Sequence, residues 1–426
     1  MGSGPRCLLI IGLFGVWALF IGCGGGGSGS NSTQNVLPSG QNVLPIAVDG
    51  GPTASLPDVP AYVNGAFTSV TVCIPGTSNC QTIDGVLVDT GSVGLRLLSS
   101  ALTLSLPLQT SGGNQLCECT QFGDGSYVWG SVRIADVKLA GEIASSVPIH
   151  VLEHGLYTIP SDCSSGGGSE EDDLQSLGAN GILGVGQFQQ DCGPACVSSS
   201  GGSPLTGYYY VCSASGCQPV FVSLVQQVQN PVALFPTDNN GVIIKLPATS
   251  GMEVSLNGVM IFGIGTQSNN GLGSATVLTL NQNSDITTVY NNQSLPYSFI
   301  DSGTNGYYFP DPAIPQCSDS DYVGYFCPPT TLHLTATNQG ANGTNSTVEF
   351  SVGNAEKLFK SSTTIIYLAF SDWAGPNNLN LPSNDSNQNS LLSSFEWGLP
   401  FFYGRDVYTA IEGKDTPAGP GPYWAY

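Results

Sequence analysis

Two short stretches, Asp89-Thr90-Gly91-Ser92 and Asp301-Ser302-Gly303-Thr304, constrain the fold of this chain more than any other feature. Each follows an apolar run, Val86-Leu87-Val88 in one case and Phe299-Ile300 in the other, so each Asp is expected at the end of a buried strand. A Gly in third place suits a tight turn after the strand. One strand–Asp–turn unit in each half points to a duplicated, two-lobed all-β protein with a central cleft and few short helices. Two carboxylates brought together in such a cleft share one proton, so that one acts as base and the other as acid.

The rest of the composition agrees with short strands and turns. The chain carries 56 Gly and 28 Pro but few charged residues. A formal charge of −21 with only nine Lys and Arg argues against a nucleic-acid partner. Residues 1–23 read as a targeting segment, with Arg6 as its positive end and Leu8 to Gly22 as its apolar stretch. That stretch is shorter than the roughly 20 residues of a membrane-spanning helix. It ends in Phe20-Ile21-Gly22-Cys23, which resembles the lipobox of bacterial lipoproteins. The resemblance implies lipidation of Cys23 and anchoring of an exported protein to a bacterial envelope membrane. Residues 24–60, rich in Gly, Ser, Asn and Pro, read as a flexible tether. The folded body is then expected as an N-terminal lobe over 61–235 and a C-terminal lobe over 236–426.

Thirteen cysteines lose Cys7 to the targeting segment and Cys23 to lipid. In an oxidising compartment the others are disulfide candidates. Local spacing pairs Cys73 with Cys80 across a hairpin and Cys317 with Cys327 around a loop. Cys192, Cys196, Cys212 and Cys217 supply two further bridges of open connectivity; their spacing imitates a zinc site, but export and Ser/Gly-rich surroundings favour disulfides. Cys117, Cys119 and Cys163 leave one odd thiol.

Along the chain, Phe67 to Cys73 alternates with period two, Pro75 to Asn79 makes a turn, and Thr82 to Val88 leads to Asp89. Residues 164–173, Val197 to Pro204 and Trp373 to Ser394 read as mobile insertions, and Phe221 to Val228 as a short helix near the crossover between lobes.

At these residues the chain resembles the pepsin-like aspartic peptidases, over most of residues 61–415. Val86 to Leu95 is similar to their first active-site segment and Ser298 to Thr304 to the second. Phe122-Gly123-Asp124-Gly125-Ser126 resembles the tip of the hairpin flap that closes over substrate. Asn180 to Gly186 resembles the hydrophobic-hydrophobic-Gly element behind the first Asp, and Phe395 to Phe401, more weakly, the one behind the second. The resemblance implies a pepsin-like (acid protease) fold and a water-activating dyad of Asp89 and Asp301. Thr90 and Ser302 would bond across to the opposite loop, Ser92 and Thr304 would hold the outer carboxylate oxygens, and Phe122 to Gly125 would cover a polypeptide. It implies neither cofactor nor metal, and a monomer. Three departures accompany it: Phe122 where a Tyr is usual, Arg96 where a Trp is frequent, and no Lys or Arg between residues 7 and 95 to form a basic pro-segment.

Other chemistries fit less well. His150-Val151-Leu152-Glu153-His154 matches an inverted zinc-peptidase motif, but Pro148 and Gly155 flank it and the segment reads as strand rather than helix. Three His residues in all leave a Ser-His-Asp triad poorly served. The expectation is therefore an aspartic endopeptidase, with a non-catalytic binding or scaffold lipoprotein of the same fold as the alternative.

Overall fold

Strands dominate the computed structural model, which describes residues 38–56, 59–153, 155–199, 201–249, 251–362, 364–377 and 393–426. Among these, only Leu174–Leu177 and Ala355–Phe359 form α-helices, and none is long and apolar enough to cross a membrane. The expected all-β architecture is observed. The targeting segment, Cys23 and the first part of the tether lie outside the described residues.

The same arrangement of three strands occurs twice. In the first half Cys80–Asp89 runs parallel to Gly181–Val185, which pairs antiparallel with Val93–Leu98, the strand that follows the turn after Asp89. In the second, Gln293–Ile300 runs parallel to Glu396–Trp397, which pairs antiparallel with Tyr307–Tyr308. Each time, a strand remote in sequence is wedged between the Asp-bearing strand and its return. The wedge brings Gly184 and Gly398 against the turn: a Cβ on Gly184 would lie 2.6 Å from the Val93 nitrogen, and one on Gly398 2.4 Å from the Thr304 carbonyl oxygen. Only Gly permits that approach.

A sixteen-stranded sheet runs through both halves, and a seven-stranded sheet belongs to the second. The link between halves corrects the tether expectation. Val43–Val48 is a strand of the large sheet, pairing residue for residue with Leu256–Phe262 from Val43↔Ile261 to Val48↔Leu256, and Pro52–Ser55 is a 3-10 turn. An alternating burial of Val43, Leu44, Ile46 and Val48 makes this a core strand, and its open backbone groups complete a ladder. The hydrophobic core is continuous, from Val86, Val88, Leu95 and Leu183 to Ile300, Tyr307, Phe395 and Trp397.

Three loop and helix expectations also change. Phe221 to Val228 gives only a 3-10 turn at Leu224–Gln226. Ala374–Gly375 pairs parallel with Tyr307–Tyr308, with Trp373 buried beside it; the apolar residues at the start of that Asn-rich stretch belong to the core. The Gly-rich segment 164–171 packs on the Phe122 hairpin, as described below. Five disulfides join Cys73–Cys80, Cys119–Cys163, Cys192–Cys196, Cys212–Cys217 and Cys317–Cys327, and Cys117 is a buried free thiol. These bridges agree with an oxidising compartment.

Candidate active site

Each Asp sits where its strand ends and its turn begins, and the two turns meet. The backbone N–H of Thr90 donates to Ser302 Oγ (3.1 Å), and that of Ser302 donates to Thr90 Oγ1 (2.9 Å). Ser302 Oγ in turn donates to the Val88 carbonyl oxygen (2.8 Å). Thr90 and Ser302 are 3% and 0% exposed, so these reciprocal bonds are dry and fix one turn against the other.

The carboxylates are held alike. Asp89 Oδ1 accepts from the Gly91 N–H (2.8 Å) and Oδ2 from Ser92 Oγ (2.5 Å). Asp301 Oδ1 accepts from the Gly303 N–H (2.7 Å) and Oδ2 from Thr304 Oγ1 (2.8 Å). Each carboxyl also lies over the other turn's Gly. A Cβ on Gly91 would come within 2.5 Å of Asp301 Cγ, and one on Gly303 within 2.6 Å of Asp89 Oδ1. Burial, followed by the charge of Asp89 and a hydrogen bond with it, pushes Asp301 well above the usual carboxylate range. Two neighbouring carboxyls with one proton between them are therefore the state this geometry favours.

Phe122 to Ser126 forms the tip of the hairpin between Asn114–Gln121 and Tyr127–Leu139. Phe122 N–H donates to the Ser126 carbonyl (2.8 Å), and Asp124 Oδ1 accepts from Ser126 N–H (2.9 Å) and Oγ (2.7 Å). The Phe122 ring packs on a cluster containing Phe67, Leu87, Val128 and Ile182. The tip is braced from outside. Gly168 N–H donates to Gly125 O (3.0 Å), Tyr127 N–H to Ser169 O (3.1 Å), and the Cys119–Cys163 disulfide ties the segment to the hairpin. A Cβ on Gly168 would sit 2.3 Å from the Gly125 carbonyl carbon, so this Gly-rich stretch is a close-packed brace rather than a free insertion.

Several functional-site groups gave no sequence signal. The Tyr62 phenol is raised by burial and then by the charges of Glu171, Asp89, Asp301 and Asp124, so both the dyad and the hairpin tip act on it. Its ring stands edge-on to Phe67 at 5.6 Å. Two residues on, buried Asn64 donates to the carbonyls of Asn305 (2.8 Å) and Phe370 (2.9 Å) and accepts from Tyr403 Oη (2.8 Å), tying this segment to the second half. Glu171 is raised to about 7, by burial and then by the charge of Asp124. Glu396 is raised to about 7 by the same two causes. Among the described residues none of Asp89, Asp301, Asp124, Glu171 or Glu396 is in an ion pair.

Arg96 serves the fold beneath this site. It is 1% exposed; its guanidinium donates to the Val93 carbonyl (2.6 Å), to Thr120 Oγ1 (3.1 Å) and to Glu118 Oε1 (3.1 Å), with Asp191 Oδ2 at 3.5 Å. His150 lies in the strand Glu142–Leu152, fully buried, with Nδ1 3.4 Å from Glu118 Oε2 and neither ring nitrogen hydrogen-bonded. Burial lowers it to about 4, so it is neutral at pH 7. The strand conformation removes the helical spacing that the zinc motif needs, and His154 lies outside the described residues.

A family model described as a protein of unknown function (DUF3443) matches residues 38–426. No curated protein matches the chain. Among solved structures, the aspartic proteinase from Irpex lacteus is similar at 14% identity and a TM-score of 0.46, over 90% of this chain and 96% of that one.

Proposed function

The chain belongs to the DUF3443 family, and we propose that it is an aspartic endopeptidase whose Asp89 and Asp301 activate a water against a peptide bond. The single observation that carries this reading is the mutual seating of the two carboxyls, each on the opposite turn's Gly and each held by its own Ser or Thr.

The steps follow from the protonation state. Asp301, which keeps its proton, donates it to the scissile carbonyl oxygen. Asp89 takes a proton from the water as the water oxygen bonds to the carbonyl carbon. The resulting gem-diol collapses when Asp89 returns a proton to the amide nitrogen, the C–N bond breaks, and Asp301 recovers its proton. The hairpin tip and Tyr62 cover the reacting bond and exclude bulk water. Lipid on Cys23 would hold the exported enzyme on a bacterial envelope membrane, a reading the lipobox-like sequence and the five disulfides support.

A second reading, a non-catalytic binding lipoprotein of this fold, is favoured by one observation: Phe122 brings no hydroxyl to the hairpin tip and is packed into the cluster around Phe67. Digestion separates the two. The full chain is incubated with an unfolded protein from pH 3 to 7 beside D89N and D301N. Cleavage with an acidic optimum, absent in both variants and blocked by a peptide-like transition-state inhibitor, is expected. A well-folded native chain that cuts nothing across that range defeats the enzyme reading.

A further inference from the structure

Glu396 is a carboxyl the mechanism above does not use. Its place follows from strand alternation, in which successive side chains face opposite sides and paired residues share a side. Trp397 pairs with Ile300 and with Tyr307, and all three are in the core. Glu396 pairs with Phe299 and Tyr308, and so faces the other way, on the side shared by Phe299 and Asp301. The hydrogen bond from Asp301 N–H to the Trp397 carbonyl (3.0 Å) carries this register up to the dyad. Two strand residues and one strand spacing put the Glu396 backbone within about 8 Å of that of Asp301, the reach of a substrate residue flanking the scissile bond.

The internal duplication shows what the fold itself requires there. Leu87 pairs with Ile182 as Phe299 pairs with Glu396, so Ile182 is its counterpart in the first half, packed among Phe67, Leu87, Leu98 and Val128. An aliphatic side chain therefore satisfies this position. Glu396 is 8% exposed; among the described residues no hydrogen bond or ion pair reaches its carboxyl, whose oxygens keep a narrow contact with solvent. Withdrawing a carboxyl from most of its water without a cation or donor opposes folding. Asp124, at the hairpin tip of the other half, is the charge that acts on it, while the strand register sets its side chain on the same side as Asp301.

We propose that Glu396 is the floor of a substrate subsite that takes a cationic side chain, a lysine or arginine next to the scissile bond. The alkyl stem would lie along Phe299 and Tyr308, with the charged head on the carboxylate and Asp124 adding a second negative group. An acidic side chain at the same position would face Glu396 and Asp124 with no cation between them. The inference rests on the endopeptidase reading for the path of the peptide. It also sets a pH dependence, because the empty subsite holds Glu396 protonated up to about 7. The groups facing it are Asp124 from the hairpin, Tyr308 on the paired strand, whose phenol burial and then the neighbouring Tyr325, Glu396 and Tyr62 push well up, and the dyad beyond. A bound ammonium keeps the carboxylate ionised, so selectivity for a cation grows as pH rises through that value.

The test scans Lys and Nε-acetyl-lysine through an otherwise uncharged fluorescent peptide, with the full chain and with E396Q. The ratio of kcat/KM for the two peptides at one pH cancels the titration of the dyad, and anisotropy gives the matching ratio of Kd without cleavage. At pH 7.5 the expected preference for Lys is about tenfold at one position flanking the bond, the size of a modest desolvated charge pair. It should fall toward one by pH 5 and be lost in E396Q. A ratio near one at every position in the native chain, or one that E396Q leaves intact, overturns the proposal. Should E396Q not fold, the pH dependence of the native ratio decides in the same way. Cleavage without the preference defeats this inference alone. A binding preference without cleavage upholds it and defeats the endopeptidase reading.

Discussion

Replacing Arg96 with Met tests whether this Arg is a structural partner of the cluster beneath the dyad. In the native protein, burial works to raise Glu118, but the charges of His150 and Arg96 and hydrogen bonds from Asp191 and Thr120 outweigh it and hold Glu118 at about 2. Since His150 is neutral above about 4, Arg96 is the counter-charge at neutral pH. Burial and the nearby Glu118 push Asp191 well above the usual carboxylate range, which leaves Arg96 and Glu118 as the principal opposed charges of the cluster. R96M leaves Glu118, 1% exposed, without its cation. Removing one partner of a buried pair costs about 3–5 kcal/mol. For a body of this length an unfolding entropy of roughly 0.8 kcal/mol per kelvin converts that into about 4–6 °C of Tm.

The sign of the pH dependence follows from the same groups. The native Glu118 contributes stability above its unfolded value and loses it only as pH falls through about 2. In R96M the orphaned carboxyl rises instead, so the variant loses stability as pH rises through 4.5 and beyond. Urea unfolding followed by tryptophan fluorescence should give a loss that is greatest at pH 7, clearly smaller at pH 4, and small only as pH approaches 2. R96M/E118L should recover most of it, because an apolar replacement of a whole buried pair is close to neutral. A loss below about 1 kcal/mol at pH 7, or an equal loss at pH 4, would refute the reasoning.

Other outcomes follow from the site. In G91A or G303A the new methyl must displace the carboxyl 2.5–2.6 Å away, so peptide cleavage should fall at least a hundredfold with little change in the far-UV circular dichroism. E396Q should be more stable than the native chain by up to about 3 kcal/mol at pH 8 and equal to it at pH 4, since a Glu raised from 4.5 to about 7 loses stability as pH climbs between those values; identical urea midpoints at both pH values would contradict this. Removing Cys119–Cys163, which closes a 44-residue separation, should cost about 4 kcal/mol in the chain-entropy account and hasten proteolysis at residues 164–171. Unchanged proteolysis there would mean that the backbone bonds to Gly125 and Tyr127 suffice as the brace.

Local pattern carried much of the fold. The apolar runs before Asp89 and Asp301, and the glycines after them, specify strand and turn by nearest-neighbour sterics, and they repeat. Cys73–Cys80 and Cys317–Cys327 were legible because each closes a short loop. The flap sequence was legible as a hairpin tip, but not its brace, because Gly125 and Gly168 meet only after residues 164–171 fold back. Val43–Val48 falls within the expected tether because a six-residue strand between Gly- and Pro-rich stretches has little periodicity of its own, and its ladder partner, Leu256–Phe262, is remote in sequence.

The amino-acid sequence by itself determined that two carboxylates end two buried strands and that each has a Gly and a hydroxyl beside it. Only the tertiary structure decided that each carboxyl rests on the other's Gly, that both the dyad and the hairpin tip act on Tyr62, and that Glu396 lies on the Asp301 side of its strand at the position where Ile182 packs into a core. The physical reason is that a carboxyl's chemistry is set by what removes its water and which charges surround it. Those neighbours arrive from strands and loops far away in the chain.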